Sequence, residues 1–398
     1  MTFARFILCA FCAMFASTAF AEEFPFEVRE TTGLRRFGYP IDAKLRLPNP
    51  VDDKTKFRII SGKQAVGQVR PVAIEDGKIT TVIIDMSVGL APFEVKKYIL
   101  EYGPDVVQDE AKSDMKVETL ENVYRVTGPG GLKYDVPKDL LGLFHSVQGG
   151  KTDYLRPDST GLVIQYRDNI PFRVGGAGPW GTPTKSHISR SGPNAIGIHF
   201  ESVEPLRGNR EVKSTVDLTF PRSKSWVRVD WVVDDPNGFV SGLGVDLNCQ
   251  IKDELALIDF GASNTIYTTL KKDQFAFMNW RGPAWKIFQY TTKTDLFAAS
   301  ADSKATPPEG WAHIMDNSRC VAYATTQHLS EHGGEIRTFG DGRFQGWRYF
   351  ARDGEQPATG PKVFIFWFHF VGMPVQIGAL TSPQSMQSSP HVGMSKQK

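Results

Sequence analysis

The chain of 398 residues has almost no sustained helical periodicity, because apolar residues rarely recur every three or four positions. The one stretch that approaches such a pattern, residues 137–147, predicts about two helical turns. Beyond the N-terminal segment, no run offers the roughly 20 apolar residues that a membrane-spanning helix needs. These absences argue against an all-helical fold and against a helical membrane protein.

Cysteine is scarce and neither sign of charge dominates. Of four cysteines, Cys9 and Cys12 lie in the N-terminal segment, which leaves Cys249 and Cys320. A disulfide between these two and a pair of buried thiols are both open alternatives. The 46 Lys and Arg residues nearly balance the 44 Asp and Glu residues, and no basic block indicates nucleic-acid binding.

The sequence also lacks the common cofactor and nucleophile motifs. It has no G-x-S-x-G turn, phosphate-binding Walker loop, EF-hand loop or Cys/His zinc spacing after the N-terminal segment. Residues 176–181, GAGPWG, share letters with the dinucleotide fingerprint, but no helix is predicted after them. Residues 328–332, HLSEH, lack the H-E-x-x-H order and precede two glycines. We therefore expect neither a cofactor nor a metal site.

The N-terminal segment has the features of a secretory signal. Arg5 precedes an apolar run, and Ala19-Phe20-Ala21 is the small-x-small pattern that a signal peptidase reads. We expect cleavage after Ala21 and a secreted or periplasmic protein without a membrane span.

Strand patterns account for most of the remaining chain, which predicts an all-β fold with few short helices. Residues 72–74 and 79–84 flank Asp76-Gly77, whose capacity for positive φ suits a tight hairpin turn. Residues 226–233 alternate between a mixed face and an apolar face, as a half-buried strand does. Residues 363–371 are apolar on both faces, which is typical of a strand between two layers.

The composition divides the chain into four parts. Residues 1–21 form the signal, and residues 22–108 form a compact first module that ends in a polar stretch. Residues 114–380 are within the size range of a large antiparallel β-sandwich. Residues 381–398 are rich in Ser, Pro and Gln, and we expect a disordered tail because they carry too little apolar surface.

Aromatic residues in the second half are candidate sugar-binding groups. Trp280, Arg281 and Trp285 occupy a short turn-rich segment, and Trp311 lies two positions before His313. Sugar rings stack on flat aromatic side chains, while their hydroxyl groups need polar neighbours. Burial in the core is the alternative for each tryptophan.

A second group of candidates surrounds the glycine-rich loop. Trp180 lies in that loop, and His187 and Arg190 follow it, while Arg173 and Arg210 are nearby in sequence. Arginine matches a carboxylate with two parallel hydrogen bonds, and histidine can transfer a proton near neutral pH. These residues would suit an acidic sugar, although most such side chains are solvated.

Several segments together resemble a known family. They are residues 68–103 with their Arg-Pro and Leu-Ala-Pro dipeptides, residues 124–247, residues 310–316 and Phe368-His369-Phe370. Their order over residues 30–385 resembles exo-acting rhamnogalacturonan lyases and their bacterial relatives. The resemblance implies that residues 22–108 form a small RIFT-type β-barrel and that residues 114–380 form a mutarotase-like sandwich. The C-terminal α/α toroid of that family is absent from this chain, so no catalytic residue is carried over.

Three functional hypotheses remain open. The first is a protein that binds acidic, uronate-containing polysaccharides without chemistry. The second is a polysaccharide lyase acting by β-elimination, in which Arg190 neutralises the carboxylate, His187 is the base and a tyrosine such as Tyr166 or Tyr323 is the acid. The third is a structural or assembly module, with a partner protein that supplies the missing domain.

Overall fold

A computed structural model describes residues 21–107, 113–166, 171–173, 183–206, 210–261, 266–282, 284–291, 295–302, 308–326, 330–352, 354–374 and 382–395. The predicted signal segment, apart from Ala21, lies outside these ranges, as does Trp180. No helix in the described part is long and apolar enough to cross a membrane.

The protein is an all-β structure of two sandwiched layers preceded by a smaller β module. The first module contains β1 (Glu22–Arg29), β2 (Arg36–Asp52), β3 (Lys56–Ser61), β4 (Gln64–Ala65), β5 (Gly67–Glu75), β6 (Lys78–Leu90) and β7 (Val95–Gly103). A small sheet follows, from β8 (Lys116–Thr119), β9 (Val123–Thr127), β10 (Leu132–Pro137), β11 (Ser146–Gly149) and β12 (Thr152–Asp153). 

The sandwich and the C-terminal segment supply the other elements. They are β13 (Gly161–Tyr166), β14 (Pro171–Arg173), β15 (Pro183–Ser191), β16 (Ala195–Leu206), β17 (Arg210–Pro221), β18 (Trp226–Asp234), β19 (Val240–Asn248), β20 (Leu255–Phe260), β21 (Ile266–Lys271), β22 (Gln274–Arg281), β23 (Ala284–Thr291), β24 (Asp295–Asp302), β25 (Trp311–Met315), β26 (Arg319–Thr325), β27 (Gly334–Phe339), β28 (Arg343–Tyr349), β29 (Lys362–Gly372), α1 (Pro383–Gln387) and β30 (His391–Met394).

Two large sheets enclose the main core. One has the order β14-β13-β19-β28-β27-β22-β23-β24, and the other has the order β15-β16-β17-β18-β29-β26-β25-β20-β21. In β29, Phe364, Phe366, Phe368 and Phe370 point into the core between the sheets. Because side chains alternate along a strand, Trp367 and His369 lie on the outer face of the nine-stranded sheet.

The first module covers part of that outer face. Its sheets have the orders β30-β1-β7-β3-β4 and β2-β6-β5. Its apolar core is continuous with Trp226, Trp311 and Trp367 of the nine-stranded sheet. Module and sandwich are therefore joined by a shared apolar cluster, and only the uncovered parts of the outer face are open to a ligand.

The strand predictions agree with the structure. Glu75 pairs with Lys78, and Asp76 and Gly77 between them have φ values of 52° and 75°, the positive pair that a two-residue hairpin requires. The predicted strands at 226–233 and 363–371 are present as β18 and β29. The sequence pattern thus located the hairpin and both strands within one or two residues.

Two local predictions are wrong. Residues 137–147 form no helix: Pro137 ends β10, residues 138–145 form turns, and Ser146 begins β11. Leu140 and Leu143 have positive φ values of 60° and 64°, and both side chains are buried. The predicted disordered tail is ordered over residues 382–395: Met386 is fully buried, and β30 pairs with β1. The packing of Met386, the pairing of β30 with β1 and the hydrogen bonds of Arg36 to Ser385 together compensate for the polar local composition.

Cys249 and Cys320 are both buried, and each is a free thiol. Burial raises the pKa of Cys249 to about 12 and also raises the pKa of Cys320. Both groups are therefore protonated at neutral pH and poorly reactive.

Candidate functional site

A row of side chains crosses six strands on the outer face of the nine-stranded sheet. In register, the row consists of Tyr267, Asp259, His313, Ala322, His369 and Trp226, on β21, β20, β25, β26, β29 and β18. Directly opposite residues have Cβ atoms about 5 Å apart. Ala322 has the smallest side chain in the row, so it leaves space between the two imidazoles.

The first five residues of this row, from Tyr267 to His369, form the floor of a cavity of about 630 Å³. Residues 34–39 of the first module make one wall, and residues 382–385 of the C-terminal segment make another. Two rim aromatics are exposed: Phe37 by 51% and Tyr267 by 66%. A concave, largely apolar space with a few polar groups at its floor is the usual form of a small-ligand site.

The strongest polar contact on the floor joins His313 and Asp259. Nδ1 of His313 lies 2.8 Å from Oδ1 of Asp259, and that oxygen also accepts the backbone N–H of His313 at 3.1 Å. Because the carboxylate accepts from Nδ1–H, the lone pair of the imidazole is on Nε2. An oriented imidazole of this kind can take a proton from a ligand.

His369 is the second imidazole on the floor. Its Nε2 lies 2.8 Å from the hydroxyl of Ser225. Burial, with smaller contributions from the charges of His313 and Lys224, lowers its pKa to about 3. His369 is therefore neutral at physiological pH and can serve in hydrogen bonding, while carrying no charge.

Lys224 gives the cavity a cation. The residue is 7% exposed, and its Nζ lies 6.0 Å from the centre of a Trp226 ring. Burial lowers its pKa. Among the described residues, no carboxylate forms an ion pair with it. A buried cation without a counter-ion is costly, and an anionic ligand would remove that cost.

The C-terminal wall is fastened to both parts of the molecule. Arg36 donates to the backbone oxygen of Ser385 at 3.0 Å and to its hydroxyl at 2.9 Å, and it forms a fully buried ion pair with Glu30 at 3.0 Å. Gln384 donates to Glu309 at 2.8 Å. The hydrogen bonds of α1 thus position the wall beside the floor residues.

Two predicted site residues lie at this cavity. Trp311 and His313 both line it, with ring centres 5.2 Å apart. The indole N–H of Trp311 donates to Glu309 at 2.7 Å. Gly261 is required beside it, because a Cβ there would lie 2.3 Å from the indole. Trp311 is only 4% exposed, so it shapes the cavity more than it offers a free ring face.

Three other predicted residues are in the core, so their predicted roles at a site are wrong. Trp280 and Trp285 are 1% and 7% exposed and belong to the cluster between the two sheets. Tyr323 is 1% exposed on the inner face of β26, and burial raises its pKa well above the ordinary value. The apolar surfaces of these three residues pack in the core. Tyr323 therefore cannot reach a substrate to donate a proton.

Neither His187 nor Arg190 lines the cavity. A bulge in β15 pairs His187 with His199 and Arg190 with Gly197, which places both side chains on the outer face, at the opposite end of the sheet. Arg190 is 9% exposed at the module interface, where it contacts Asp42 at 2.5 Å and also pairs with Asp85. The predicted base and carboxylate partner are thus not at the cavity.

The remaining candidates are dispersed or lie outside the described residues. Arg281 is on the eight-stranded sheet and pairs with Glu355 at 2.7 Å. Arg173 and Arg210 lie at a strand end and a strand start, where the structure describes only the backbone. The glycine-rich loop with Trp180 is not described. Within the described ranges, no three His, Cys, Asp or Glu side chains are grouped closely enough to hold a metal ion.

Asp259, Lys224, Tyr267, Phe37 and His369 line the cavity but are not among the site residues that the sequence predicts. His369 is buried and hydrogen-bonded to Ser225. The missed signal is register: Asp259 and His313 are 54 positions apart in sequence but directly opposite in the sheet. Pairing between distant strands is not visible in local patterns.

No protein-family model and no curated protein sequence matches the chain. Among solved structures, it is similar to a protein in glycosyl hydrolase family 38 from Enterococcus faecalis, with TM-score 0.52, 12% identity, and coverage of 96% of this chain and 48% of that one. It is also similar to an alpha-mannosidase from Enterococcus faecalis, with TM-score 0.54, 12% identity, and coverage of 94% and 46%.

A putative aldose 1-epimerase from Escherichia coli K12 gives TM-score 0.35 and 10% identity, with coverage of 65% of this chain and all of the other. The chain spans about half the length of the first two structures, and at such identities the similarity concerns the fold alone. A rhamnogalacturonan lyase is not among these three structures, so that resemblance remains a prediction.

Proposed function

We propose that the protein binds an acidic, uronate-containing glycan in the cavity on the nine-stranded sheet. One observation carries the proposal: basic side chains exceed acidic ones there. Lys224 and Arg35 line the cavity with two histidines, whereas Asp259 is the one acidic residue among its described lining and is already paired with His313. A ligand carboxylate would supply the missing negative charge.

The exposed rim aromatics support a sugar as the carrier of that carboxylate. Phe37 and Tyr267 are more than half exposed beside the opening, and aromatic faces bind the apolar faces of sugar rings. By contrast, Phe277 and Tyr290 on the eight-stranded sheet stack on each other with centres 5.7 Å apart and nearly parallel planes. Each of these two rings is therefore stacked against a neighbouring ring of the same sheet.

The fold similarity also supports a carbohydrate-related role, since the similar structures are described as a family 38 glycosyl hydrolase and an alpha-mannosidase. The predicted signal segment would place the protein where exported polysaccharides occur. We therefore propose both that the protein is exported and that the glycan it binds is acidic.

Calorimetric titration with uronate oligosaccharides, and with neutral oligosaccharides of equal length, tests the proposal. Tyr267→Ala removes an exposed ring at the rim, and we expect at least about tenfold weaker binding, or roughly 1.4 kcal/mol. Tyr290→Ala removes a ring from the eight-stranded sheet and is the matched control. Equal affinity for neutral sugars, or loss of binding only in Tyr290→Ala, would overturn the proposal.

A second candidate function is β-elimination of a bound uronate, which the oriented His313 favours. Its Nε2 would accept the proton next to the carboxylate, and Lys224 would stabilise the charge that develops on that carboxylate. As the carbon–carbon double bond forms, the bond to the glycosidic oxygen breaks, and the protonated imidazole returns its proton to that leaving oxygen. The ultraviolet absorbance of an unsaturated uronate product measures this reaction directly. Binding of uronates without any increase in absorbance would leave the binding function and reject the lyase.

A further inference from the structure

A second cleft, of about 560 Å³, lies between the first module and the end of β15. Arg58 and Arg70 reach it from β3 and β5, and Arg190 reaches it from β15. No aspartate or glutamate is among its described lining residues. We propose that this arginine cleft binds the sulfate or carboxylate group of an anionic glycan, at a site separate from the cavity.

The acids that balance these arginines lie behind them, outside the lining. Arg58 donates to Glu101 through Nε at 2.8 Å and Nη2 at 2.5 Å. Arg190 is held by Asp42 at 2.5 Å and by Asp85. These ion pairs restrict the guanidinium groups before any ligand arrives, so little side-chain entropy is lost on binding.

Arg70 is the least constrained of the three arginines. Among the described residues, its one ion pair is a weak contact of Nη2 with Asp42 at 3.4 Å, and its side chain is 37% exposed. Its guanidinium group can therefore bind a ligand in the cleft, and the oxygens of a sulfate or carboxylate are suitable acceptors for such a group.

Neutral polar groups complete the lining. Gln68 comes from the first module, and Ser189 and Ser191 come from the end of β15. Hydroxyl and amide groups can bind the sugar hydroxyls next to a charged substituent. Because the two walls belong to different parts of the fold, an anion here would bridge the module and the sandwich, and it would stabilise their interface by mass action.

Three probes distinguish the source of the anion: inorganic sulfate, a sulfated oligosaccharide, and a uronate oligosaccharide without sulfate. We expect the charged oligosaccharides to bind, with inorganic sulfate at least tenfold weaker than the better of them. If inorganic sulfate bound as tightly as the charged oligosaccharides, the cleft would be a site for free anions, and its assignment to a glycan would be wrong. Failure of all three probes to bind would overturn the site itself.

Variants locate the binding. Arg70→Gln removes an arginine with only one weak ion pair, and Gln68→Glu places an acid in the cleft. Each should weaken the sulfated oligosaccharide at least tenfold, as measured by calorimetry, with circular dichroism confirming the fold. Arg125→Gln, which removes an arginine paired with Asp135 at 2.7 Å outside the cleft, is the matched control. An equal loss of affinity in Arg70→Gln, Gln68→Glu and Arg125→Gln would reject the cleft as the binding site.

The cleft and the cavity are tested independently. Lys224→Met alters the cavity and leaves the three arginines intact, so the sulfated oligosaccharide should keep its affinity at the cleft. Loss of that affinity in Lys224→Met, with Arg70→Gln unchanged, would assign the anion to the cavity and overturn this inference while leaving the proposed function standing.

Discussion

His313 and Asp259 lie directly opposite each other on β25 and β20, with Nδ1 of the imidazole 2.8 Å from Oδ1 of the carboxylate. A similar pair exists on the same sheet: His199 and Asp217, at 2.7 Å. The first pair lines the cavity, whereas the second is absent from its described lining. The chain therefore provides its own matched control for the role of an oriented histidine.

Asp259→Asn should separate binding from catalysis. Asparagine keeps an acceptor for the backbone N–H of His313 but removes the negative charge, so uronate binding should be retained or tightened. The lyase function predicts a loss of turnover of about 100-fold or more, as expected when general-base catalysis is impaired. Asp217→Asn, measured in the same absorbance assay, should have no effect. Full turnover in Asp259→Asn would reject His313 as the base.

Lys224→Met should weaken uronate binding and stabilise the fold. Loss of a charge-assisted hydrogen bond costs about 1.5–3 kcal/mol, which calorimetry would detect as at least tenfold weaker binding. Burial lowers the Lys224 pKa, so the charged form is disfavoured in the native state. Wild-type stability should then rise as pH increases from the folded pKa to the unfolded pKa, and methionine should remove that rise. Unchanged affinity would show that Lys224 does not contact the carboxylate.

Glu204 should make the stability of the fold depend on pH, independently of the cavity and the cleft. It is 3% exposed, and burial raises its pKa to about 7 from 4.5, although Ser202 donates to it. The native state then holds more protons between these values, so stability should fall as pH rises from 4.5 to 7, by about 3 kcal/mol. Glu204→Gln should flatten that part of the denaturation profile. A slope identical to that of wild type would reject the assignment.

Trp280 should behave as a core residue. Its side chain is 1% exposed, and a Cβ on Gly334 would lie 2.6 Å from its ring. Trp280→Ala should lower the free energy of unfolding by about 3–5 kcal/mol through the cavity it leaves. Trp280→Phe should cost less and leave uronate affinity unchanged at a temperature where the protein is folded. Weaker binding in a fully folded Trp280→Phe protein would contradict this.

The strands were predictable because their signals lie in residues that are neighbours in sequence. The site predictions that failed depend on burial and on contacts between distant residues, which the sequence does not show. The Asp76-Gly77 turn and the doubly apolar β29 depend on neighbouring residues, so the sequence alone locates them. Trp280 and Tyr323 looked like site residues because composition does not say which face of a strand is buried. Asp259 was missed because its importance depends on pairing with β25, more than fifty positions away.

Arg36 fastens the wall of the cavity. Arg36 and Glu30 are fully buried, and Arg36 also donates to Ser385 and Ser388. Burial raises the Glu30 pKa, but hydrogen bonds led by those from Thr32 and Arg36 outweigh it and lower the pKa to about 2. The carboxylate is therefore charged, and Arg36→Met should cost about 3–5 kcal/mol by leaving it unpaired.

Loss of the same arginine should release residues 382–388 from the cavity. In the Arg36→Met variant, hydrogen exchange in residues 382–388 should be faster than in wild type, with β29 as the internal reference. Uronate affinity should fall in the same variant. Glu30→Gln combined with Arg36→Met removes the unpaired charge, so it should recover part of the stability without restoring the bonds to Ser385. If stability and slow exchange both returned in the double variant, the unpaired charge of Glu30 would explain the behaviour of Arg36→Met. The loss of the hydrogen bonds to α1 would then not be its cause.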